Sequence, residues 1–336
     1  MPALLDLTPR PRPDADPITE ALATTPAPVA PIENVGQWWR VHQALAARHR
    51  APFALSVAGG TAADRAGWAF ASGYQAALRA LVPGLPDDLL AAFCVTEATG
   101  NRPRDIATAF RDLGDGTLSV TGAKRWSTLG PESALLLVVG NLAPVAGAPA
   151  ARSALKVLPI RADAPGVVIE PMPPTEFVPE VAHARITLQD VRVPAALLLP
   201  DDGYDRYVKP FRTIEDIHVN VALLAWLLRE ARVRGWPAAF AERVAAALAA
   251  LGRADAMDPA SPACHVVLAG ALAWVHGVYQ DASTLWASEG GDPAAARWAR
   301  DAKLFGVASG ARELRAVRAW ERLAAGSGEL SRTRGA

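Results

Sequence analysis

The chain has 336 residues, of which 51% are hydrophobic and 20% charged, the balance of a globular protein with enough material for a large core. Lysine plus arginine and aspartate plus glutamate each number 34, and this equality excludes a global field suited to nucleic acid or an anionic membrane. Two cysteines, Cys94 and Cys264, are too few for a disulfide framework or a zinc site, and we predict that both are buried.

The N-terminus lacks the basic stretch and apolar segment of a secretory signal. The longest apolar run, 263–279, is short for a membrane span and contains His265 and His276, so it predicts a buried helix. We therefore expect a cytoplasmic protein without a membrane span. The two histidines are not spaced as a metal-binding pair, and we assign them to the core.

Residues 1–33 are rich in proline and have little hydrophobic periodicity, which predicts a disordered or loosely draped tail. The following residues, 34–92, contain helical patterns at 35–50 and 62–82. We expect them to form an N-terminal helical domain.

Residues 93–205 consist of short runs rich in β-branched residues, separated by turn signals such as Gly-Asp-Gly at 114–116. Six or seven strands without helical stretches between them predict a compact antiparallel barrel or sandwich. This segment is the expected middle β domain.

Residues 206–327 are helical again, and residues 328–336 form a short tail. Four long helices separated by short breaks are predicted, at 213–236, 238–254, 261–290 and 292–326. Such an arrangement is typical of an antiparallel four-helix bundle. The predicted fold class is therefore α+β, with a helical segment, a β domain and a helical bundle in that order.

Three stretches in the middle of the chain carry a resemblance to a known family. They read "FCVTEATGN" at 93–101, "DGTLSVTGAKRWSTLG" at 115–130 and "ARITLQDVRVPAALLLP" at 184–200. In order and spacing they resemble the motifs of the acyl-CoA dehydrogenase family. The order of helices, β domain and helical bundle is similar as well.

The resemblance implies a binding site for FAD. In that family a tryptophan and a hydroxyl two residues later lie against the flavin ring, and the matching residues here are Trp126 and Thr128. The first motif lines another part of the ring system and corresponds to Phe93, Val95 and Thr96. The other interpretation of Trp126 is a residue that packs on its own sheet.

Other features depart from the family pattern and weaken the expectation of tight FAD binding. The family's "PGAGSD" turn is replaced by "ATGNRPRD", in which Arg102 and Arg104 either contact phosphate or lie in a solvated loop. Motifs of the types RxxFG, GGxG and YEGT, which bind FAD from a partner subunit or carry the catalytic glutamate, have no counterpart. FAD is thus expected to be held weakly or not at all.

The resemblance also implies the catalytic base. Isovaleryl-type members carry a glutamate near the start of the first bundle helix, and "FRTIEDIHV" at 211–219 places Glu215 there. An equally weighted alternative is a capping box formed by Thr213 and Asp216, in which Glu215 only favours the helix dipole. His218 lies one turn further along and either shares the pocket or is structural.

Two main hypotheses follow from these residues, beside a third in which a flavin-bearing member acts on a substrate other than a thioester. The first is a flavoprotein that oxidises an acyl thioester, bound to CoA or a related carrier, to the 2-enoyl form and passes electrons to an electron-accepting flavoprotein. The second is a catalytically silent relative that lost FAD binding and serves as a scaffold or partner subunit. Because the helix patterns are apolar on all sides, we expect a homodimer or homotetramer in either case.

Overall fold

The computed structural model describes residues 16–142, 154–306 and 309–333, with only the backbone described for 154 and 326–333. Helices begin and end the described part of the chain, and a sheet lies between them in sequence. Cys94 and Cys264 are both buried and unpaired, which confirms the prediction for the two thiols.

The N-terminal part is helical. Its helices are α1 (Pro17–Ala23), α2 (Val35–Arg48), α3 (Pro52–Thr61) and α4 (Ala66–Leu81). Helix α1 falls within the tail, residues 1–33, that was predicted to be disordered or loosely draped. Residues 24–33 contain no helix or strand, as predicted, and residues 1–15 lie outside the described residues. The side chain of Asp16 caps α1 by accepting a hydrogen bond from the Thr19 N–H at 2.9 Å. The prolines around this N-cap residue made the helix hard to predict from the sequence.

The described residues of the middle part form one sheet of seven strands. They are β1 (Ala91–Cys94), β2 (Ala109–Asp112), β3 (Thr117–Thr128), β4 (Leu135–Leu142), β5 (Ala154–Arg161), β6 (Val167–Pro171) and β7 (His183–Pro194). Strand β4 pairs in parallel with β1 and β2, whereas its pairing with β5 and the remaining pairings are antiparallel. The sheet is therefore mixed, and the prediction of wholly antiparallel pairing is wrong, because alternation along a strand carries no information on the direction of its neighbour.

The C-terminal part contains five described helices instead of the four predicted. They are α5 (Lys209–Arg234), α6 (Ala238–Asp255), α7 (Pro262–Ser288), α8 (Pro293–Asp301) and α9 (Ser309–Thr333). The predicted fourth helix is divided by a 3₁₀ turn at Ala302–Gly306. Phe305 of this turn stacks on Tyr279 of α7 with ring centroids 3.9 Å apart, and this tertiary contact holds the turn against the core.

Helix α5 is central to the core and packs closely against α4. A Cβ on Gly73 of α4 would lie 2.6 Å from the carbonyl oxygen of His218, so only glycine permits this approach. The close contact brings the residue that follows, Tyr74, beside the β domain, where its hydroxyl meets strand β1.

Helix α7 differs from its prediction as a helix buried on all sides. Val267 and Trp274 are 37% and 42% exposed, and His276, assigned to the core from the sequence, is exposed. His265 is partly buried, and its Nε2 lies 2.9 Å from the carbonyl oxygen of Pro259. Within the described ranges, α7 is the one helix long and apolar enough, by length and composition, to cross a membrane. A third of its most apolar 18-residue segment is buried inside the protein.

Candidate active site

A cavity of about 970 Å³ lies among β3, β7 and the helices α5, α7 and α9. Three of the residues selected from the sequence line it, namely Trp126, Thr128 and Glu215. Trp126 and Thr128 lie on β3, whereas Glu215 lies on α5, almost ninety positions further along the chain. The cavity is of the size typical for small-molecule and cofactor sites.

Trp126 is held in an unusual backbone conformation. Its φ of 58° lies in the left-handed region, and the pairing of β3 with β7 shifts register between Lys124 and Ser127. The bulge turns the indole away from the sheet, so that 47% of Trp126 is exposed. A tryptophan in this region costs on the order of 1–3 kcal/mol, and such strain is concentrated at functional sites.

Two side chains support the exposed indole. The backbone N–H of Trp126 donates to Sδ of Met172 at 3.4 Å, and the imidazole of His183 meets the indole edge-on with ring centroids 5.7 Å apart. Burial lowers the pKa of His183, so the ring is neutral at pH 7. Since His183 also lines the cavity, the indole and imidazole form one continuous aromatic wall.

Phe93, Val95 and Thr96, the other predicted flavin contacts, are not among the cavity-lining residues. Phe93 is 6% exposed. The backbone carbonyl groups of Val95 and Thr96 accept hydrogen bonds from residues of β3. The carbonyl oxygen of Thr96 accepts from the Arg125 N–H at 2.8 Å, and that of Val95 accepts from Nζ of Lys124 at 3.4 Å. Val95 and Thr96 thus contact the part of β3 that immediately precedes Trp126 and do not line the cavity.

Glu215 is in the interior of α5, not in its first turn. The helix begins at Lys209 and is preceded by a π-helical turn at Tyr204–Val208, so Thr213 and Asp216 cannot form the alternative capping box. The sequence pattern indicated a helix start because Thr-x-x-Asp is a common cap, whereas the real first turn contains Pro210.

Arginines of α9 hold the residue next to the predicted base. The Asp216 carboxylate accepts from Nε of Arg312 at 2.9 Å and from Nη2 of Arg315 at 2.6 Å. Arg315 also donates through Nη1 to the Thr213 hydroxyl at 3.3 Å. The cluster fixes α9 across the cavity from the base and leaves Glu215 without an ion-pair partner of its own among the described residues.

The electrostatics favour a protonated Glu215 at acidic pH. Burial and, to a smaller extent, the negative charge of Asp216 raise its pKa to about 7, while Arg212 and Arg312 oppose the rise. A carboxyl with this pKa changes protonation state near neutral pH, which suits a group that accepts and returns a proton.

His218 does not share the cavity. It is 1% exposed, its Nδ1–H donates to the carbonyl oxygen of Ile214 at 2.9 Å, and its Nε2 lies 3.5 Å from Oδ1 of Asp255 on α6. Burial lowers its pKa despite the neighbouring carboxylate. The interpretation as a structural histidine agrees with this geometry.

Several cavity residues were not selected from the sequence, since no local pattern marks them. Tyr279 of α7 donates through its hydroxyl to Oδ1 of Asn220 at 2.8 Å, and Nδ2 of Asn220 donates to the carbonyl oxygen of Asp216 at 2.6 Å. The apolar part of the wall is formed by Phe70, Phe177, Val178, Val181, Val219, Leu223, Leu272, Val275, Leu304 and Phe305.

Arg102 and Arg104 are exposed and are not among the residues that line the cavity. The backbone N–H of Arg102 donates to Oδ2 of Asp105 at 3.1 Å, and Nε of Arg104 lies 3.8 Å from Oδ1 of the same residue. Both therefore belong to a solvated loop. Over residues 16–142, 154–306 and 309–333, no group of three or more His, Cys, Asp or Glu side chains could hold a metal ion.

The chain is similar in structure to several solved proteins. Butyryl-CoA dehydrogenase from Megasphaera elsdenii superposes with a TM-score of 0.63 and 16% identity, covering 87% of this chain and 90% of that one. An acyl-CoA dehydrogenase from Geobacillus kaustophilus has a TM-score of 0.60 and 17% identity over 87% of this chain and 90% of its own. The chain has the acyl-CoA dehydrogenase fold.

A further similar chain comes from the structure of the electron transferring flavoprotein of Acidaminococcus fermentans, with a TM-score of 0.65, 15% identity, and coverage of 90% of this chain and 96% of that one. No protein-family model matches the sequence, and no curated protein sequence is significantly similar to it. The similarity to acyl-CoA dehydrogenases over most of the chain is therefore found in the structure and not in the whole sequence.

The cavity wall fits the flavin ring of FAD. The exposed indole offers a flat apolar face with the imidazole edge and aliphatic side chains nearby, and the Thr128 hydroxyl adds a group able to donate to a ring nitrogen. The strained conformation of Trp126 exposes this surface, which burial against the sheet would have hidden. These are properties that a flavin site requires of its protein.

Proposed function

We propose that this protein is an FAD-dependent dehydrogenase that oxidises acyl thioesters to 2-enoyl thioesters. The observation that carries the proposal is the convergence of Trp126, Thr128 and Glu215 on one cavity, with the pKa of the glutamate raised to about 7. The acyl-CoA dehydrogenase fold supports the same assignment but does not determine the substrate.

Trp126 and Thr128 would hold the flavin ring of FAD. When bound, FAD supplies an acceptor for the hydride that leaves the β-carbon. Trp126 would provide the apolar wall, with His183 edge-on against it, and the Thr128 hydroxyl would provide a polar contact. The apolar residues around the cavity exclude water from the same space.

Glu215 would accept the proton from the α-carbon of the thioester. That carbon is a weak acid, so a carboxylate with a raised pKa is a better match than an ordinary glutamate. The ion pairs of Asp216 with Arg312 and Arg315 keep α9 and α5 in a fixed relation around the base. Glu215 itself is unpaired in these contacts and able to face the substrate.

The partners follow from the same proposal. The substrate is an acyl group on CoA or a related carrier, and the electron acceptor is a flavoprotein, a class represented among the structures similar to this chain. We further propose a cytoplasmic homo-oligomer in which the exposed apolar face of α7, including Val267 and Trp274, is covered by a second copy.

The test is a fluorescence titration of the purified wild-type protein with FAD, followed by turnover of an acyl-CoA with an artificial electron acceptor. The matched variant is Glu215→Gln, which keeps the size of the side chain and removes the base. We expect FAD binding in both proteins and turnover in the wild type alone. Equal turnover of the two proteins would show that Glu215 is not the base.

The second candidate is a relative that no longer binds FAD and serves as a scaffold. It is favoured by the position of Arg102 and Arg104 in a solvated loop, where the resemblance would place contacts to the phosphates. If added FAD never binds to the wild type in the titration, the dehydrogenase proposal is wrong and the scaffold proposal takes its place.

A further inference from the structure

Asn220 and Tyr279 form a buried polar pair in the wall of the cavity. Asn220 of α5 is 7% exposed and Tyr279 of α7 is 4% exposed, and both line the cavity among mainly apolar side chains. Neither side chain holds FAD or moves the proton under the proposed function. Burying an amide and a phenol costs free energy unless their polar atoms are hydrogen-bonded, so each of these atoms requires a partner.

The hydrogen bonds of this pair leave polar positions unused. The carbonyl oxygen of Asp216 only accepts, so Nδ2 of Asn220, 2.6 Å away, is the donor and uses one of its two hydrogens. Oδ1 of Asn220 therefore accepts from the hydroxyl of Tyr279 at 2.8 Å. Burial raises the pKa of Tyr279, so the phenol keeps the hydrogen that it donates. The second amide hydrogen and the lone pairs of the phenol oxygen have no hydrogen-bond partner among the described residues.

The pair lies farther inside the cavity than the predicted base. The cavity follows one face of α5, whose lining residues are Glu215, Asp216, Val219, Asn220 and Leu223. Asp216 is bound by α9, whose exposed Glu313 also lines the cavity. At the other end of this face Leu223 is 2% exposed, and Phe305 stacks on Tyr279 with ring centroids 3.9 Å apart. A thioester whose carrier remains at the exposed end therefore extends its acyl chain toward the pair.

The distance along α5 sets which part of an acyl chain the pair can reach. Asn220 follows Glu215 in the same helix, and the rise between them is about 7.5 Å. An extended chain advances roughly 1.2 Å per bond, so a chain that runs along α5 from the base passes Asn220 roughly six bonds beyond the α-carbon. A hydroxyl at that point can accept from the amide and donate to the phenol oxygen, whereas a methylene group can do neither.

We propose that Asn220 and Tyr279 form a subsite that selects acyl thioesters with a hydroxyl group roughly six bonds beyond the α-carbon. The inference rests on the proposed function, which places the α-carbon at Glu215. The hydroxyl oxygen accepts from Nδ2 of Asn220, and its hydrogen goes to the oxygen of Tyr279. A buried polar site disfavours an analogue that lacks the matching group, because the polar atoms of the site then stay unpaired.

The experiment compares octanoyl-CoA with its ω-hydroxylated form, whose terminal carbon, the sixth beyond the α-carbon, carries the hydroxyl. Calorimetric titration of the full-length Glu215→Gln protein, with and without FAD, gives the dissociation constant of each thioester without turnover. The kcat/KM of the wild type for the two thioesters is the second readout. We expect the hydroxylated thioester to bind about tenfold more tightly than octanoyl-CoA and to have the higher kcat/KM.

Two variants and a matched control assign this preference to the pair. Asn220→Leu removes the amide and keeps a side chain of similar size, so the preference should turn toward octanoyl-CoA. Tyr279→Phe keeps the ring that stacks on Phe305 and removes only the hydroxyl, so the preference should fall, and this variant keeps the test decisive if Asn220→Leu does not fold. Val219→Ala shortens an apolar side chain of the same face and should weaken both thioesters alike, leaving their ratio unchanged. A pair that only joins α5 to α7 would alter stability and not this ratio.

The outcomes separate the two proposals. Wild-type protein that binds no FAD or oxidises neither thioester would overturn the proposed function, and the titration without FAD would still report the preference for the hydroxyl. Equal affinity for the two thioesters, an unchanged preference in the variants of Asn220 and Tyr279, or no binding of either thioester would overturn the subsite. Turnover of octanoyl-CoA by the wild type would leave the proposed function intact in that case.

Discussion

Replacing Glu215 by glutamine is expected to stabilise the ligand-free protein at alkaline pH. The pKa of Glu215 is about 7, compared with 4.5 for an ordinary glutamate, and each pKa unit corresponds to about 1.4 kcal/mol. Ionising this carboxyl in the folded protein therefore costs about 3 kcal/mol more than in the unfolded chain. Glutamine has nearly the same size and cannot ionise, so the variant avoids this cost.

The pH dependence has a definite sign. Below pH 4.5 the carboxyl is protonated in both states, and the wild type and Glu215→Gln should unfold with similar free energies. Between about pH 4.5 and 7 the unfolded chain loses the proton while the folded protein keeps it, so the wild type loses stability as the pH rises. Above pH 7 the variant should be the more stable protein by about 3 kcal/mol.

Urea unfolding of both proteins at several pH values between 4.5 and 9 measures this difference. Ser72→Ala provides the control. It removes the buried hydrogen bond that the Ser72 hydroxyl accepts from Nε1 of Trp38 at 2.9 Å, and neither group titrates in this range, so its effect should be constant. A constant difference between Glu215→Gln and the wild type over the whole range would refute the reasoning, since it would mean that the carboxyl is not desolvated.

Three other predictions concern activity, binding and assembly. The kcat/KM of the active enzyme should rise with pH through an apparent pKa of about 7. Asp216→Asn should lower this apparent pKa, because it removes the negative charge that helps to raise the pKa of Glu215. An unchanged apparent pKa in the variant would contradict the assignment of Glu215 as the base. Trp126→Ala should weaken FAD binding at least tenfold in a fluorescence titration, because it removes the exposed indole wall; wild-type affinity in this variant would place the flavin elsewhere. The protein should sediment as a dimer or larger at micromolar concentration, and Trp274→Glu should shift it toward monomer by placing a charge on the exposed face of α7; a wild-type monomer would count against an interface there.

The sequence by itself determined the succession of helices, strands and helices and selected the residues of the cavity that lie in recognisable motifs. Trp126 and Thr128 belong to one strand, and their relation depends only on local backbone geometry, so a motif was sufficient to select them. Glu215 was selected in the same way, although the capping pattern around it was equally compatible with a helix start. That ambiguity exists because Thr-x-x-Asp has the same letters at the beginning of a helix and in its interior.

Only the tertiary structure decided which distant residues meet at the cavity. Parallel pairing of β1 and β4, the turn that divides α8 from α9, and the approach of Tyr74 to β1 all depend on contacts between segments far apart in the chain. Hydrophobic periodicity reports which face of an element is buried, but it does not report which element covers that face. For this reason His183, Tyr279 and Tyr74 carry no local signal.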